Sequence, residues 1–480
     1  MIWPRTFTRQ VSAEPEPDPP AVPAPDPAPV LDPAGTPLPG PSTALAPDPA
    51  SAPDPASAPD LALARPWPPD WLLGGERPPR RAALWVLDRR LRLREGWWSL
   101  PGWSQALAVY LVSRLIDLVI ISRVARFQVP SMWNDPDPGY LGVLSLWDGA
   151  WYRRIAEIGY PGHLPIDVHG HVAQSQWAFY PLYPLTVRYT GWLFGTDWPV
   201  SASIVSLTAG ALAVMVLRSL MEPIVGRSLA QWTVVMFCVF PAAPVLQLAY
   251  TESLSIFLLV CALWCLQRRR YLVAVPLVLL IGVARPIAVP VAAVVALHAL
   301  NRWRRHRQAP VSGREAPSLG VLCAAAAFAA VEWPLIAATV TGRADAYTQT
   351  MGAWRLGHQL TPVLPWWTMS QFFFGDWFGP LLVASAAGLA IWWLTRPTAR
   401  MVGADLRVWM VAYLGYLAVV LDPSTSLPRY LLLLFPFGTM LAAASPSPAY
   451  RRTLVLACLA GQILWVTWLW RFSPPTDWPP

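Results

Sequence analysis

Of the 480 residues, 55% are hydrophobic and only 13% charged, and the apolar ones are gathered in blocks of about 18 to 25, long enough to cross a bilayer core of about 30 Å. That excludes an ordinary soluble domain, where charges would interrupt such blocks every few positions. The formal charge of +8 is carried by arginine alone, in short clusters between the apolar blocks, which is the positive-inside pattern of a multi-pass membrane protein and argues against a nucleic-acid partner. Cys238, Cys261, Cys265, Cys323 and Cys458 all fall inside apolar blocks without metal-ligand spacing, so they read as small packing residues.

Residues 1–79 are low in complexity, with APDPA recurring at 24–28, 46–50 and 52–56. Proline blocks helix and sheet pairing alike, so a disordered tail is expected, and it lacks the apolar run of a signal peptide. A basic juxtamembrane segment follows over 80–102, with Arg80, Arg81, Arg89, Arg90, Arg92 and Arg94. The first apolar block runs from about 103 to 121, which places the tail in the cytoplasm and sends the chain outward.

The next gap, about 122–177, is then extracytoplasmic, and it holds LSLWDGAWYRRIAEIGY from Leu144 to Tyr160. At helical period Trp147, Trp151, Ile155 and Ile158 share one face, while Gly149, Arg153 and Glu157 fall away from it. The pattern predicts an amphipathic helix lying in the membrane interface with its tryptophans at headgroup depth. Asp148 stands near its start, either as a plain helix cap or as a fixed carboxylate at the boundary of water and lipid. Asp135 and Asp137 form an Asp-x-Asp pair in WNDPDPGY, and His163, His169 and His171 lie downstream. Both groups could bind metal, but Asp-x-Asp is short and Pro-Asp pairs abound in this chain, and the His-x-His pair has no matching carboxylate, so both read as loop residues.

FYPLYP at 179–184 opens a short apolar stretch ending near Gly195, read as a re-entrant or interfacial segment. The later blocks run at roughly 198–220, 229–249, 253–268, 271–285, 287–301, 318–341, 377–395, 405–421, 430–446 and 453–471, before a short tail at 472–480. With 179–195 not crossing, every major arginine cluster from Arg218 to Arg452 faces the cytoplasm. The fold class is therefore all-α: a polytopic membrane protein of about eleven transmembrane helices, with a large first extracytoplasmic loop carrying interfacial helices.

This topology gathers Glu252 in AYTESLSIFLL, Arg285 in VARPIAV and Arg429 in SLPRYLLLLFPFG on the outer face with Asp148. Ionisable groups at such depths pair structurally or serve a site. Arginine holds phosphate through a planar fork, and a carboxylate can accept a proton from an attacking hydroxyl. Together they suit displacement of a phosphate leaving group carried on a lipid. No Walker A loop and no G-x-G-x-x-G is found, so ATP- or dinucleotide-driven chemistry is not indicated.

WDGAWYRRIAEIGY, AFYPLYP, YTESL, ARP and PRYLLLLFP occur in the order found in the GPI mannosyltransferase 2 (PIG-V-like) family, and the chain resembles its bacterial members over about residues 103–471. The family is similar to GT-C glycosyltransferases. The resemblance implies a polyprenyl-phosphate sugar donor, usually mannose, and inverting transfer without a required metal or cofactor. Asp148 matches the first-loop acidic residue taken as the base. Arg285 and Arg429 are candidates for the donor phosphate, with Trp147, Tyr152, Tyr160, Tyr183 and Glu252 as substrate-binding or supporting residues. The chain departs from many relatives in having Trp151-Tyr152 where they have Tyr-Phe, and in its Pro-rich tail. The acceptor is expected to be a cell-envelope glycan, a glycolipid or a secreted protein. The rival readings are a transporter or flippase of lipid-linked glycans, and a GT-C transferase for another sugar.

Overall fold

The structure, a computed structural model, describes residues 89, 92, 95–130 and 136–471. The chain divides into two units, Met1–Pro79 and Arg80–Pro480, and every described residue belongs to the second. The expected disordered tail, most of the basic segment, Asp135 and the tail at 472–480 lie outside the described residues.

Among the described residues the architecture is all helical, with one isolated bridge between Ile166 and Val172. The helices are α1 (Gly102–Ala125), α2 (Gly139–Leu144), α3 (Asp148–Ile158), α4 (Leu182–Phe194), α5 (Trp198–Val239), α6 (Glu252–Gln267), α7 (Tyr271–Gly282), α8 (Ala288–Arg304) and α9 (Glu315–Thr341). They continue as α10 (Ala346–Gly352), α11 (Leu364–Phe374), α12 (Phe378–Thr395), α13 (Pro397–Met401), α14 (Ala404–Val420), α15 (Leu427–Leu431), α16 (Phe435–Ala443) and α17 (Pro448–Leu469). Four of them, α5, α9, α12 and α17, are long and apolar enough to cross a membrane. The chain is a polytopic, all-α membrane protein, and each predicted apolar block contains a helix or one half of α5, although the block at 229–249 runs past the end of α5 at Val239 and the one at 430–446 holds only the nine residues of α16.

Helix α5 accounts for two of those blocks. It spans 42 residues but breaks at Gly226, whose φ of 78° and ψ of 165° suit glycine almost alone. Arg218 Nε donates to Gln231 Oε1 at 3.3 Å, although 13 residues separate them. In a straight helix they would stand about 20 Å apart. The helix therefore folds back on itself and α5 is a hairpin.

Helix α1 is 24 residues long and carries Arg114 and Asp117 inside it. Both point into the protein: they pair at 2.8 Å, and Arg114 also donates to the Ala243 carbonyl at 2.7 Å. Burial of this pair is tolerable because the arginine is also hydrogen-bonded. Helix α4, with 13 residues, extends only about 20 Å, short of a bilayer core.

Helices α7 and α8 form a short antiparallel hairpin, tied at its base by Tyr271 Oη and His298 Nε2 at 3.2 Å. Its tip, with Ala284, Arg285 and Ile287, is buried. Helix α7 ends at Gly282, and Pro286 shortly beyond it has no N–H with which to continue the helix. A second irregular stretch, between α14 and α16, contains the one-turn helix α15 and is buried at Arg429 and over Leu432–Leu434. Irregular backbone at this depth is stable only where protein covers it. These two breaks carry the arginines of the site.

Candidate active site

Asp148 owes its place to the backbone around it. Trp147, just before it, has a φ of 58° and a ψ of −118°, a conformation costing a non-glycine residue about 1–3 kcal/mol. The surrounding contacts impose it: Trp147 is buried, and the Ala249 N–H donates to the Leu144 carbonyl at 3.0 Å. Gly149 permits this approach, since a Cβ there would lie 3.3 Å from the Leu144 oxygen and 3.5 Å from Ala249. The contact brings the start of α3 against 248–252, the segment ending in Glu252.

The four ionisable residues singled out in the sequence form one chain of ion pairs. Asp148 pairs directly with Arg429 Nη1. Arg429 Nε lies 3.4 Å from Glu252 Oε1, and the same oxygen is 2.6 Å from Arg285 Nη1. Tyrosine faces cover both arginines: Arg429 lies 5.0 Å from the Tyr250 ring centre and 5.5 Å from that of Tyr430, while Arg285 is 5.1 Å from Tyr430. Pro428 lies in the first turn of α15, and Tyr413 Oη donates to the Tyr430 carbonyl at 3.2 Å, so the turn carrying Arg429 is fixed to α14. Side-chain exposure is 1% for Glu252, 8% for each arginine and 23% for Asp148. The carboxylate of Asp148 is the member that an incoming group can reach.

The supporting residues are placed unequally. Tyr152 packs edge-on against Phe179 and Tyr183 and reaches Tyr250 at 6.5 Å, so it stands one ring behind Arg429. Tyr183 is fully buried, with its hydroxyl 2.9 Å from Ser206 Oγ. Tyr160 belongs to another cluster, against Trp177 and Trp333, and its hydroxyl donates to the Phe179 carbonyl.

The predicted face of α3 needs correction. Its buried stripe is Gly149, Tyr152, Ile155 and Ala156, so the helix packs into the protein along a face that overlaps only partly with the predicted one. Trp147 and Ile155 are buried, whereas Ile158 is 67% exposed. Nor does Asp148 act as the cap: Trp147 occupies that position, and the Asp148 carboxylate bonds Arg429.

Several residues at the site were not singled out from the sequence. Tyr250 and Tyr430 adjoin predicted residues, and only the fold reveals that their faces cover the guanidinium groups. Trp354 packs edge-on to Trp151 and Phe179, and the next residue, Arg355, donates to the Val420 carbonyl at 2.6 Å and lies 3.4 Å from Asp422. These two neighbours thus link the segment carrying Asp148 to the one carrying Arg429. Asp137 has a positive φ in the loop before α2, and the His171 and His358 rings lie 4.8 Å apart in another region. Among the described residues no three His, Cys, Asp or Glu side chains converge as a metal site.

The fold and this cluster define the class: a polytopic helical membrane protein with a buried, charge-balanced ionic centre opening at one carboxylate. No family model and no curated protein matches the chain. Among solved structures it is similar to the oligosaccharyltransferase of Archaeoglobus fulgidus in complex with zinc and sulfate, at 12% identity and a TM-score of 0.41, over 76% of this chain and 53% of that one. The same enzyme tethered to an acceptor peptide with the NVT sequon gives 12% identity and a TM-score of 0.41, over 75% of this chain and 55% of that one. The archaeal oligosaccharyltransferase AglB from Archaeoglobus fulgidus, in complex with an inhibitory peptide and a dolichol-phosphate, gives 11% and 0.39, over 75% and 55%. The chain spans about half the length of these proteins.

Proposed function

We propose that the chain is a GT-C-type, PIG-V-like membrane glycosyltransferase that moves a sugar, mannose in the first instance, from a polyprenyl-phosphate donor to an extracytoplasmic acceptor with inversion. In this reading Asp148 is the general base, and Arg429, with Arg285 behind it, receives the donor phosphate. The observation that carries it is the ionic chain Asp148–Arg429–Glu252–Arg285, in which the accessible end is a carboxylate and the buried part supplies two arginines.

The chemistry follows from charge. The donor phosphate is an anion, so its arrival competes with Asp148 for Arg429. Once Arg429 turns to the phosphate, Asp148 loses its counter-charge and becomes the better proton acceptor. The acceptor hydroxyl then attacks the anomeric carbon opposite the phosphate, the carbon–oxygen bond to phosphate breaks, and the hydroxyl proton passes to Asp148. The developing phosphate charge rests on the arginines, held in place by Glu252 and the tyrosine faces. Inversion follows from single displacement.

Purified protein assayed with polyprenyl-phosphate mannose, glucose and arabinose should release polyprenyl phosphate from one donor in an acceptor-dependent manner. Transbilayer movement of a lipid-linked glycan without sugar transfer would support a flippase instead.

A further inference from the structure

A cleft of about 400 Å³ lies between the α5 hairpin turn at Gly226, helix α13 and the α16–α17 connection. Val225, Leu229, Met401 and Pro446 give it apolar walls, and Arg227 and Arg451 give it charge. Arg451 is fixed by two 3.2 Å bonds from Nε to the Ala442 and Ser445 carbonyls, and its guanidinium lies 5.2 Å from the Trp232 ring centre. Arg227 donates one bond, from Nη2 to the Leu100 carbonyl at 2.8 Å. Among the described residues neither has a carboxylate partner, whereas Arg114, Arg218, Arg285, Arg302, Arg355 and Arg429 all have one.

The depth of the cleft suggests its occupant. Ser206, in the first half of α5, donates to the Leu248 carbonyl beside the segment leading to Glu252. Gly226 lies about 20 residues further along that helix, or about 30 Å, which matches the thickness of a bilayer core. The cleft therefore opens at the boundary opposite the ionic centre. We infer that it binds the phosphate of an anionic phospholipid in that leaflet, with the acyl chains lying on the apolar walls. A zwitterionic headgroup would bring a cation against two arginines and no carboxylate. A soluble phosphate would leave the apolar walls uncovered.

Native mass spectrometry of the full-length protein in detergent, titrated with phosphatidylglycerol or phosphatidylcholine, tests this. The wild type should retain phosphatidylglycerol in preference to phosphatidylcholine. Each arginine removed should weaken retention about fivefold, so Arg227→Gln with Arg451→Gln should lose about twenty-five-fold. Arg304→Gln with Arg305→Gln, in another basic cluster, should change nothing. Should the double variant fail to fold, the single Arg227→Gln at an exposed position carries the same fivefold expectation. Equal retention of the two lipids, or unchanged phosphatidylglycerol retention in folded Arg227→Gln, would overturn the assignment. Stabilisation of the wild type by inorganic phosphate as strong as that by phosphatidylglycerol, and lost in Arg227→Gln, would assign the cleft to a soluble anion and also overturn it.

Discussion

Asp148 and Arg429 stand 281 positions apart in the chain and meet in a direct ion pair, behind which Glu252 holds both Arg429 and Arg285. The arrangement ties the first extramembrane segment, the start of α6, the tip of the α7–α8 hairpin and the one-turn helix α15 to a single charge-balanced centre. Removing any member leaves a buried charge uncompensated, so each member can be tested separately.

Arg429→Lys keeps the charge and loses the planar fork that serves Asp148 and Glu252 together. Turnover should fall by roughly one to two orders of magnitude, the equivalent of one or two charge-assisted hydrogen bonds, while the protein still inserts and elutes as wild type. Full activity in both Arg429→Lys and Arg429→Ala would remove this residue from the site.

Glu252→Gln tests the inner carboxylate. With 1% of its side chain exposed between two guanidinium groups, its loss should cost about 3–5 kcal/mol, as for breaking other buried pairs. A lower thermal midpoint in detergent is expected, well beyond that of Ser255→Ala on the same helix. A midpoint equal to wild type would show that the two arginines do not depend on Glu252.

Orientation can be tested at two glycines where an added Cβ meets nothing within 4 Å, Gly162 and Gly313. Gly313 precedes α9, while Trp333 on that helix donates to the Trp177 carbonyl, about 27 Å further along by helical rise. An impermeant maleimide should label Gly162→Cys in intact cells and should not label Gly313→Cys. The reverse pattern would invert the topology.

The loop around Asp167 should respond to acid. Its carboxylate accepts from the His171 and His169 backbone N–H groups, at 2.9 and 2.8 Å, which lowers its pKa from the ordinary 3.8. A lowered carboxylate pKa means that its stabilising contribution is complete above 3.8 and is lost as pH falls through the lower folded value. Amide exchange across residues 163–172 should therefore quicken as pH drops below about 4, after correction for the intrinsic rate. Asp167→Ala should show the quickened exchange already at neutral pH. Identical protection in variant and wild type would contradict this.

Apolar block length made the helices legible, because a bilayer demands it of any sequence that crosses. Asp148, Glu252, Arg285 and Arg429 were legible for the complementary reason, as charges that such blocks tolerate only with partners. Periodicity was less informative about what a face touches: the stripe through Trp147 and Ile155 looked like a lipid-facing surface, yet both pack inside. Arg114 and Asp117 were passed over within an apparently clean block, although their spacing of three is an intrahelical pair signal. The stacking of Tyr250 and Tyr430 on the arginines, and the bridge through Trp354 and Arg355, join segments remote in sequence. No local pattern encodes them.

The central claim is that the accessible carboxylate of the ionic chain, Asp148, takes the proton from the acceptor. Asp148→Asn tests it directly, since the variant keeps the shape and the Asp148 carboxylate does not cap α3. Turnover of polyprenyl-phosphate sugar by the purified variant should drop by roughly two to four orders of magnitude, with donor binding retained. Wild-type turnover by a well-folded Asp148→Asn protein would contradict the account.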